Sequence, residues 1–288
     1  MAVYERTYRR YEGSHTPAAT RFLILPRYIF QDVFKSRWLV AFFAFCFLYP
    51  MVCAAILYLL NNQTFREAFP NFQLPTFLDM ESGFLLSFLR IQGVSAFALS
   101  VFIGPGLVSR DLANNGLALY LSRPFTRFEY VIGKLSVLAL LLSAITWVAG
   151  SLLILLYANF VGFGWIFEQA GLIAGFLVSS WLLILGLGMM SLSISALVKW
   201  RSVAGFAMVA LVLGGAFFGS VMINELFRTT YGHMLNLALV MVRLWEGLMG
   251  APSTSPLSMP AAVLGLSLFL LGFTFLLFRK IRAYEVVG

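Results

Sequence analysis

The chain has 288 residues, of which 60% are hydrophobic and only 11% charged, with a mean hydropathy of +0.88 and a formal net charge of +8. Soluble proteins average about 45–50% apolar and about 25% charged residues, so this composition excludes a soluble enzyme, a disordered tail and a secreted disulfide scaffold. The basic residues lie beside long apolar runs rather than along a polar surface with interleaved aromatics, which predicts a lipid bilayer as partner and no nucleic acid.

Residues 1–37 read as a cytoplasmic tail ending in an interfacial helix. Pro26 suits a first helical turn, after which Ile29, Phe30, Val33 and Phe34 share one face and Arg27, Gln31 and Lys35 another. Such a helix sinks its apolar side into the acyl boundary while its cations meet headgroups, and Trp38 marks the entry into the bilayer. Arg27, Phe30, Phe34 and Lys35 are its candidate functional residues, as a topology anchor or as a contact for a cytoplasmic partner.

Six apolar segments are long enough, at about 1.5 Å rise per residue, to cross a hydrocarbon layer of roughly 30 Å. They are expected at 38–60, 87–108, 133–157, 171–198, 202–224 and 261–278, making 38–278 one transmembrane domain followed by a short tail, 279–288. Cys46 and Cys53 both fall in the first run, and the eleven Met are scattered without a tight repeat, so both read as packing residues rather than a copper site. Arg90, near the outer end of the second span, is expected either to snorkel to the interface or to line the route of a polar substrate.

Alternate connections divide the 20 Lys and Arg sixteen against four, the minority being Arg66, Arg90, Arg228 and Arg243. By the positive-inside rule both termini are expected in the cytoplasm of a multi-pass protein of the cell membrane.

The connection between the second and third spans, 109–126, is too polar to cross and too apolar for a solvated loop. Asp111 can place negative charge at a helix start, Gly116 weakens the middle, and Leu117, Leu119, Tyr120 and Leu121 form a surface that needs covering. Thr126-Arg127-Phe128-Glu129 reads as a capping box flanked by Phe125 and Tyr130 at the staple positions. The third span should therefore begin as a helix below the membrane and run on rigidly through Gly133-Lys134.

Farther along, Gly171 with Gly175 and Gly215 with Gly219 have the spacing that lets helix backbones approach, and Gly186, Gly188, Ser191, Ser193 and Ser195 add a small-residue stretch to the fourth span. The connection 225–260 is too long for a turn and, with Leu235, Leu237, Val240, Leu244, Trp245, Pro252 and Pro256, is expected to form one or two short amphipathic or re-entrant helices.

Gly104-Pro105-Gly106, Ser109-Arg110-Asp111, Gly116, Leu119-Tyr120-Leu121-Ser122-Arg123-Pro124, Arg127 and Gly133-Lys134, in this order and topology, resemble the type-2 permeases of ABC transporters. The resemblance covers essentially the whole chain. It departs from many relatives in having Asp111 for a glutamate and Gly116-Leu117 for a Gly-Thr pair.

It implies an all-α membrane protein with an N-terminal connecting helix, six spans, a cytoplasmic coupling helix and an outer gate at 225–260. It further implies a homo- or heterodimer of permeases, each docking a separate cytoplasmic ABC ATPase subunit. Arg110, Asp111, Asn114, Leu119, Leu121, Arg123, Pro124 and Arg127 would then be the coupling residues, with Arg90, Gly215 and Gly219 as candidates for the dimer interface or cargo pathway.

Independently, the chain carries no phosphate-binding loop. Its only Gly-Lys pair, Gly133-Lys134, has Phe128 where the loop's first glycine would stand. No cofactor is expected on this chain, with ATP and Mg on the partner ATPase.

Neither Asp nor Glu, nor His15 or His233, falls in the six expected spans, which argues against a membrane enzyme, a metal site or a proton relay. The expected function is an exporter's permease subunit, sparse intramembrane charge favouring a lipid-like or hydrophobic cargo. The alternatives are a non-transporting anchor of an ABC-type machine doing mechanical work on the envelope, and an ATP-independent channel.

Overall fold

A computed structural model describes residues 24–62, 65, 67, 82–114 and 126–281. Their regular structure is helical throughout, with no strand among the described residues. Six helices are long and apolar enough to cross a membrane: Arg37–Asn61, Ser82–Ala113, Arg127–Val161, Ala170–Leu197, Arg201–Phe227 and Met259–Lys280, here spans 1 to 6. Each overlaps an apolar run predicted from the sequence. Span 2 runs beyond its expected limits at both ends, and span 3 begins as a helix at the capping box Thr126–Glu129, as the sequence predicts.

The amphipathic helix Ile24–Lys35 forms with Pro26 buried in its first turn. Ile29, Phe30 and Val33 pack toward the core, while Arg27 and Lys35 are exposed. Phe34, expected on the same face, is 47% exposed and stacks on Phe30. The helix lies against the first turns of span 3 and the start of span 1. The end of the bundle that carries it, together with the connection between spans 2 and 3, is called here the basic end.

Two spans are interrupted by proline, and in each case a neighbouring helix bonds to the backbone near the break. Pro50 cannot donate to the carbonyl four residues earlier; that carbonyl, of Cys46, accepts instead from Nε2 of fully buried Gln92 in span 2 at 3.1 Å. Span 1 is accordingly two helices, Arg37–Phe45 and Leu48–Asn61.

Span 2 divides at Gly104 into Ser82–Ile103 and Pro105–Ala113. Beyond this break, Ser195 Oγ of span 4 accepts from the N–H groups of Val108 and Ser109 at 3.0 and 2.9 Å and donates to the Pro105 carbonyl at 2.7 Å. A Cβ on Gly104 would lie 2.6 Å from Ser191 Cβ, so glycine is what lets spans 2 and 4 meet there.

Span 4 is the central helix, packing on spans 2, 3, 5 and 6 and on the connection before span 6. Its small-residue stretch is used within the chain: besides Ser191 and Ser195, Gly188 receives Leu135 of span 3, and Ser193 Oγ donates to the Phe273 carbonyl of span 6 at 2.7 Å. Span 3 is not uniformly α-helical, since Ala144–Val148 form a π turn at its middle. Spans 1 and 5 are peripheral, with only 17% and 11% of their most apolar windows buried.

The connection between spans 5 and 6 holds a 3-10 turn, Tyr231–Leu235, and the helix Leu237–Leu248. The turn packs where span 5 widens into a second π segment, Phe218–Ile223. Ser220 there meets His233 Nδ1 at 3.0 Å and accepts from Asn236 Nδ2 at 3.2 Å. The missing side chains of Gly215 and Gly219 are filled by the carbonyls of Leu235 and Gly232. These glycines, candidates for a contact between subunits, thus serve a contact inside the chain. Of the other spaced pair, Gly175 lies against the Leu248 carbonyl, whereas Gly171 has open space.

Candidate functional site at the basic end

The helix Pro105–Ala113 carries Arg110 and Asp111 out of the bundle and ends at Asn114, whose N–H donates to the Arg110 carbonyl at 3.1 Å. Asp111 therefore sits in a last helical turn rather than at a helix start. A negative charge is unfavourable there, beside unsatisfied carbonyls, and the structure compensates it with a cation. Lys134 Nζ of span 3 lies 2.8 Å from Asp111 Oδ2, and the hydroxyl of Tyr130 donates to the same oxygen at 2.6 Å. The Lys134 and Asp111 side chains are 6% and 16% exposed, Tyr130 is fully buried, and the ammonium stands 5.5 Å from the Tyr130 ring centre.

The four residues beginning span 3 form the predicted capping box. Thr126 Oγ1 accepts from the Glu129 N–H at 3.2 Å, and the Thr126 N–H donates to Glu129 Oε2 at 2.6 Å. Tyr130, one staple residue, turns inward to Asp111; the other, Phe125, lies outside the described residues, as do Leu119, Leu121, Arg123 and Pro124 of the coupling segment. Arg110, Asn114 and Arg127 are exposed.

The described shoulders of the 115–125 segment are therefore bound to each other. Span 2's tail is held by a buried ion pair to the second turn of span 3, and span 3's first turn is fixed by its cap.

At the opposite end Arg90, its side chain 38% exposed, is paired rather than free. Its Nη2 lies 2.9 Å from Glu246 Oε1 and donates to Thr254 Oγ1 at 3.1 Å. Glu246 is fully buried, also accepts from the Thr254 hydroxyl and N–H, and has Arg243 at 3.9 Å. The expected spans themselves hold no carboxylate, but the connection before span 6 brings one into the packed interior. Glu246 lies outside the six apolar runs, in the connecting helix Leu237–Leu248, yet that helix is packed among spans 2, 4, 5 and 6. The available signals were an arginine in an apolar run, which needs a counter-charge, and an Arg243/Glu246 pair inside an otherwise apolar helix.

Sequence reasoning placed Tyr130 at a staple position and Lys134 in the Gly133-Lys134 step without pairing either with Asp111, and it missed Arg201, whose Nη2 donates to the Phe102 carbonyl beside the span 2 break at 2.6 Å. Cys46 and Cys53 are buried free thiols, and no group of three potential metal ligands occurs among the described residues. The chain matches no family model and no curated protein.

Proposed function

We propose that this chain is the membrane permease subunit of a type-2 ABC exporter, driven by a separate cytoplasmic ATPase and working as a pair of permeases. The observation that carries this reading is the Asp111–Lys134–Tyr130 clasp. It joins the two helices flanking the segment on which the family resemblance centres, so a push by a nucleotide-driven partner on 115–125 would tilt spans 2 and 3 together. A solvated loop with only a connecting role needs no buried ion pair across its base. The excess of Lys and Arg on this side supports a cytoplasmic location for it, with both termini on the same side.

The opposite connection is read as the extracellular gate. Leu235 meets span 5 at Gly215, which is roughly 18 Å along the helix from the span's end at Phe227, by the rise of about 1.5 Å per residue. Met241 likewise reaches Gly186, beyond the midpoint of span 4. Such depth supports a re-entrant element held shut by Arg90–Glu246.

A second permease is placed against peripheral span 5, where Phe206, Leu213, Phe217 and Phe218 are exposed. With Gly215 and Gly219 covered, these bulky residues rather than the glycines would form the contact. A lipid-like or hydrophobic cargo is consistent with such apolar walls, and ATP and Mg are assigned to the partner.

The test is reconstitution of the chain with the ATPase that copurifies from its native membrane. ATP-dependent loss of a fluorescent lipid or dye from vesicles is expected, together with ATPase stimulation by the permease. Stimulation without movement of cargo would favour mechanical work. Movement of cargo by the chain alone would refute the proposal.

A further inference from the structure

A cavity of about 180 Å³ opens at the basic end between the amphipathic helix, the tail of span 2 and the starts of spans 3 and 5. Its lining is divided. Ile29, Val33, Leu39, Ile103 and Leu107 form an apolar part, and Arg110, Arg201, Lys134, Asp111, Asp32 and Tyr28 a polar one.

The carboxylates are already engaged. Asp111 is taken by Lys134 and Tyr130, and Asp32 lies 3.2 Å from Lys35. Arg110 and Arg201 have no carboxylate within ion-pair distance among the described residues. They nevertheless converge from two different spans on one glycine: a Cβ on Gly106 would lie 3.6 Å from Arg201 Nε and 3.7 Å from Arg110 Nε. Arg201 is pinned in this position by its bond to the Phe102 carbonyl.

Two like charges brought together over a missing side chain repel, and each guanidinium retains donors suited to anionic oxygen. A phosphate between them would relieve the repulsion and accept from both forks. The position fits the membrane surface. The cavity lies between the interfacial helix and the starts of spans 3 and 5, with Trp38 and Trp200, 57% and 75% exposed, at the starts of spans 1 and 5. The same cavity pairs the arginines with an apolar lining of Ile29, Val33, Leu39, Ile103 and Leu107, which suits an acyl chain and which a free ion does not need. Basic pockets between membrane helices are suited to anionic headgroups.

We infer that this cavity binds the phosphate of an anionic phospholipid, clamped between Arg110 and Arg201 over Gly106 with its acyl chains against Leu39 and Ile103. A bound lipid would tie span 2 beyond its break to the start of span 5, and so set the rest position of the tail that carries Asp111. The inference does not depend on the transport reading, because its test measures lipid binding by the isolated chain.

The full chain is purified in detergent, delipidated, and its melting followed by tryptophan fluorescence with added dioleoyl phosphatidylglycerol, dioleoyl phosphatidylcholine or sodium phosphate. Phosphatidylglycerol is expected to raise the midpoint by several degrees more than phosphatidylcholine. Arg110→Gln and Arg201→Gln should each lose most of that difference, whereas Arg279→Gln, an exposed cation at the end of span 6, should keep it. Gly106→Leu, which fills the cavity without altering charge, should lose it as well.

Native mass spectrometry of the unaltered protein supplies a readout that needs no variant: retention of phosphatidylglycerol in preference to phosphatidylcholine is expected. Equal retention of the two lipids would overturn the inference. So would an undiminished phosphatidylglycerol effect in the arginine and glycine variants, or a loss in Arg279→Gln as large as in Arg201→Gln. Reproduction of the whole shift by sodium phosphate would assign the site to a soluble phosphate instead and overturn the lipid.

Discussion

Span 2 carries a buried charge interaction at each end, and the two are built differently. At the basic end Asp111 meets Lys134 and Tyr130, which stand on the next helix across a short connection. At the opposite end Arg90 meets Glu246, 156 residues away, on a helix that belongs to no span. The first is a clasp across the base of one connection, and the second a latch between a span and a connecting element. Between them the helix is broken at Gly104-Pro105. Under the proposed reading, a lever with one end clasped to span 3 and the other latched to the connecting helix Leu237–Leu248 would carry motion between the two ends of the bundle, provided that the latch releases and the clasp does not.

The largest expected effect is on the latch. Glu246 is fully buried between two arginines, so Glu246→Ala leaves both without their carboxylate and should cost about 3–5 kcal/mol of stability, read as a lowered melting midpoint. Removing both members of the main pair, in Arg90→Met with Glu246→Leu, should restore part of it, and a strictly additive double variant would contradict the coupling.

Next comes the clasp. Asp111→Asn can keep an acceptor for Tyr130 but leaves Lys134 buried and unpaired, at a cost of about 3 kcal/mol, the lower end for a broken buried pair. If Asp111→Asn proved harmless while ATPase coupling also persisted, the two ends would differ in the opposite sense from that argued.

Helix approach comes third. Gly104→Ala, which would press on Ser191 and the Ser100 carbonyl, should destabilise by about 1–3 kcal/mol. By contrast, Gly171→Ala, with open space around it, should be neutral or stabilising by up to about 1 kcal/mol. Similar melting shifts for the two would break the packing account.

The smallest effect is at the cap, where Thr126→Ala should cost about 1 kcal/mol and loosen the first turn of span 3, visible as faster amide exchange at residues 127–130. Unchanged exchange there would show that the clasp alone fixes this turn.

What could be read in the sequence follows the range of the interactions. The capping box is four residues long and formed as predicted, because both donors and both acceptors lie within one turn. The six spans were legible because apolar length is a local property, and the amphipathic helix because its period is 3.6 residues. Arg90 could be seen as anomalous, but its partner could not be chosen, since nothing local links residue 90 to residue 246.

The same holds for the compensation of Pro50 by Gln92, where the proline announces a broken carbonyl and the residue that repairs it lies on another helix. The spacing of Gly215 and Gly219 indicated a close approach without naming what approaches, and the occupant is a 3-10 turn of the same chain. Of the candidate coupling residues, Arg110, Asp111, Asn114 and Arg127 fall within the described residues and flank the segment. Leu119, Leu121, Arg123 and Pro124 fall outside them.

The central claim is that the segment 115–125 is gripped from the cytoplasm by an ATPase that is a separate chain. A photo-crosslinking amino acid placed at Leu119 or Leu121 in native membranes tests it most directly. The account predicts one dominant adduct with a soluble-face protein carrying nucleotide-binding motifs, its yield changed by ATP. Adducts with lipid alone, or labelling of these positions by an impermeant reagent from outside the cell, would contradict it.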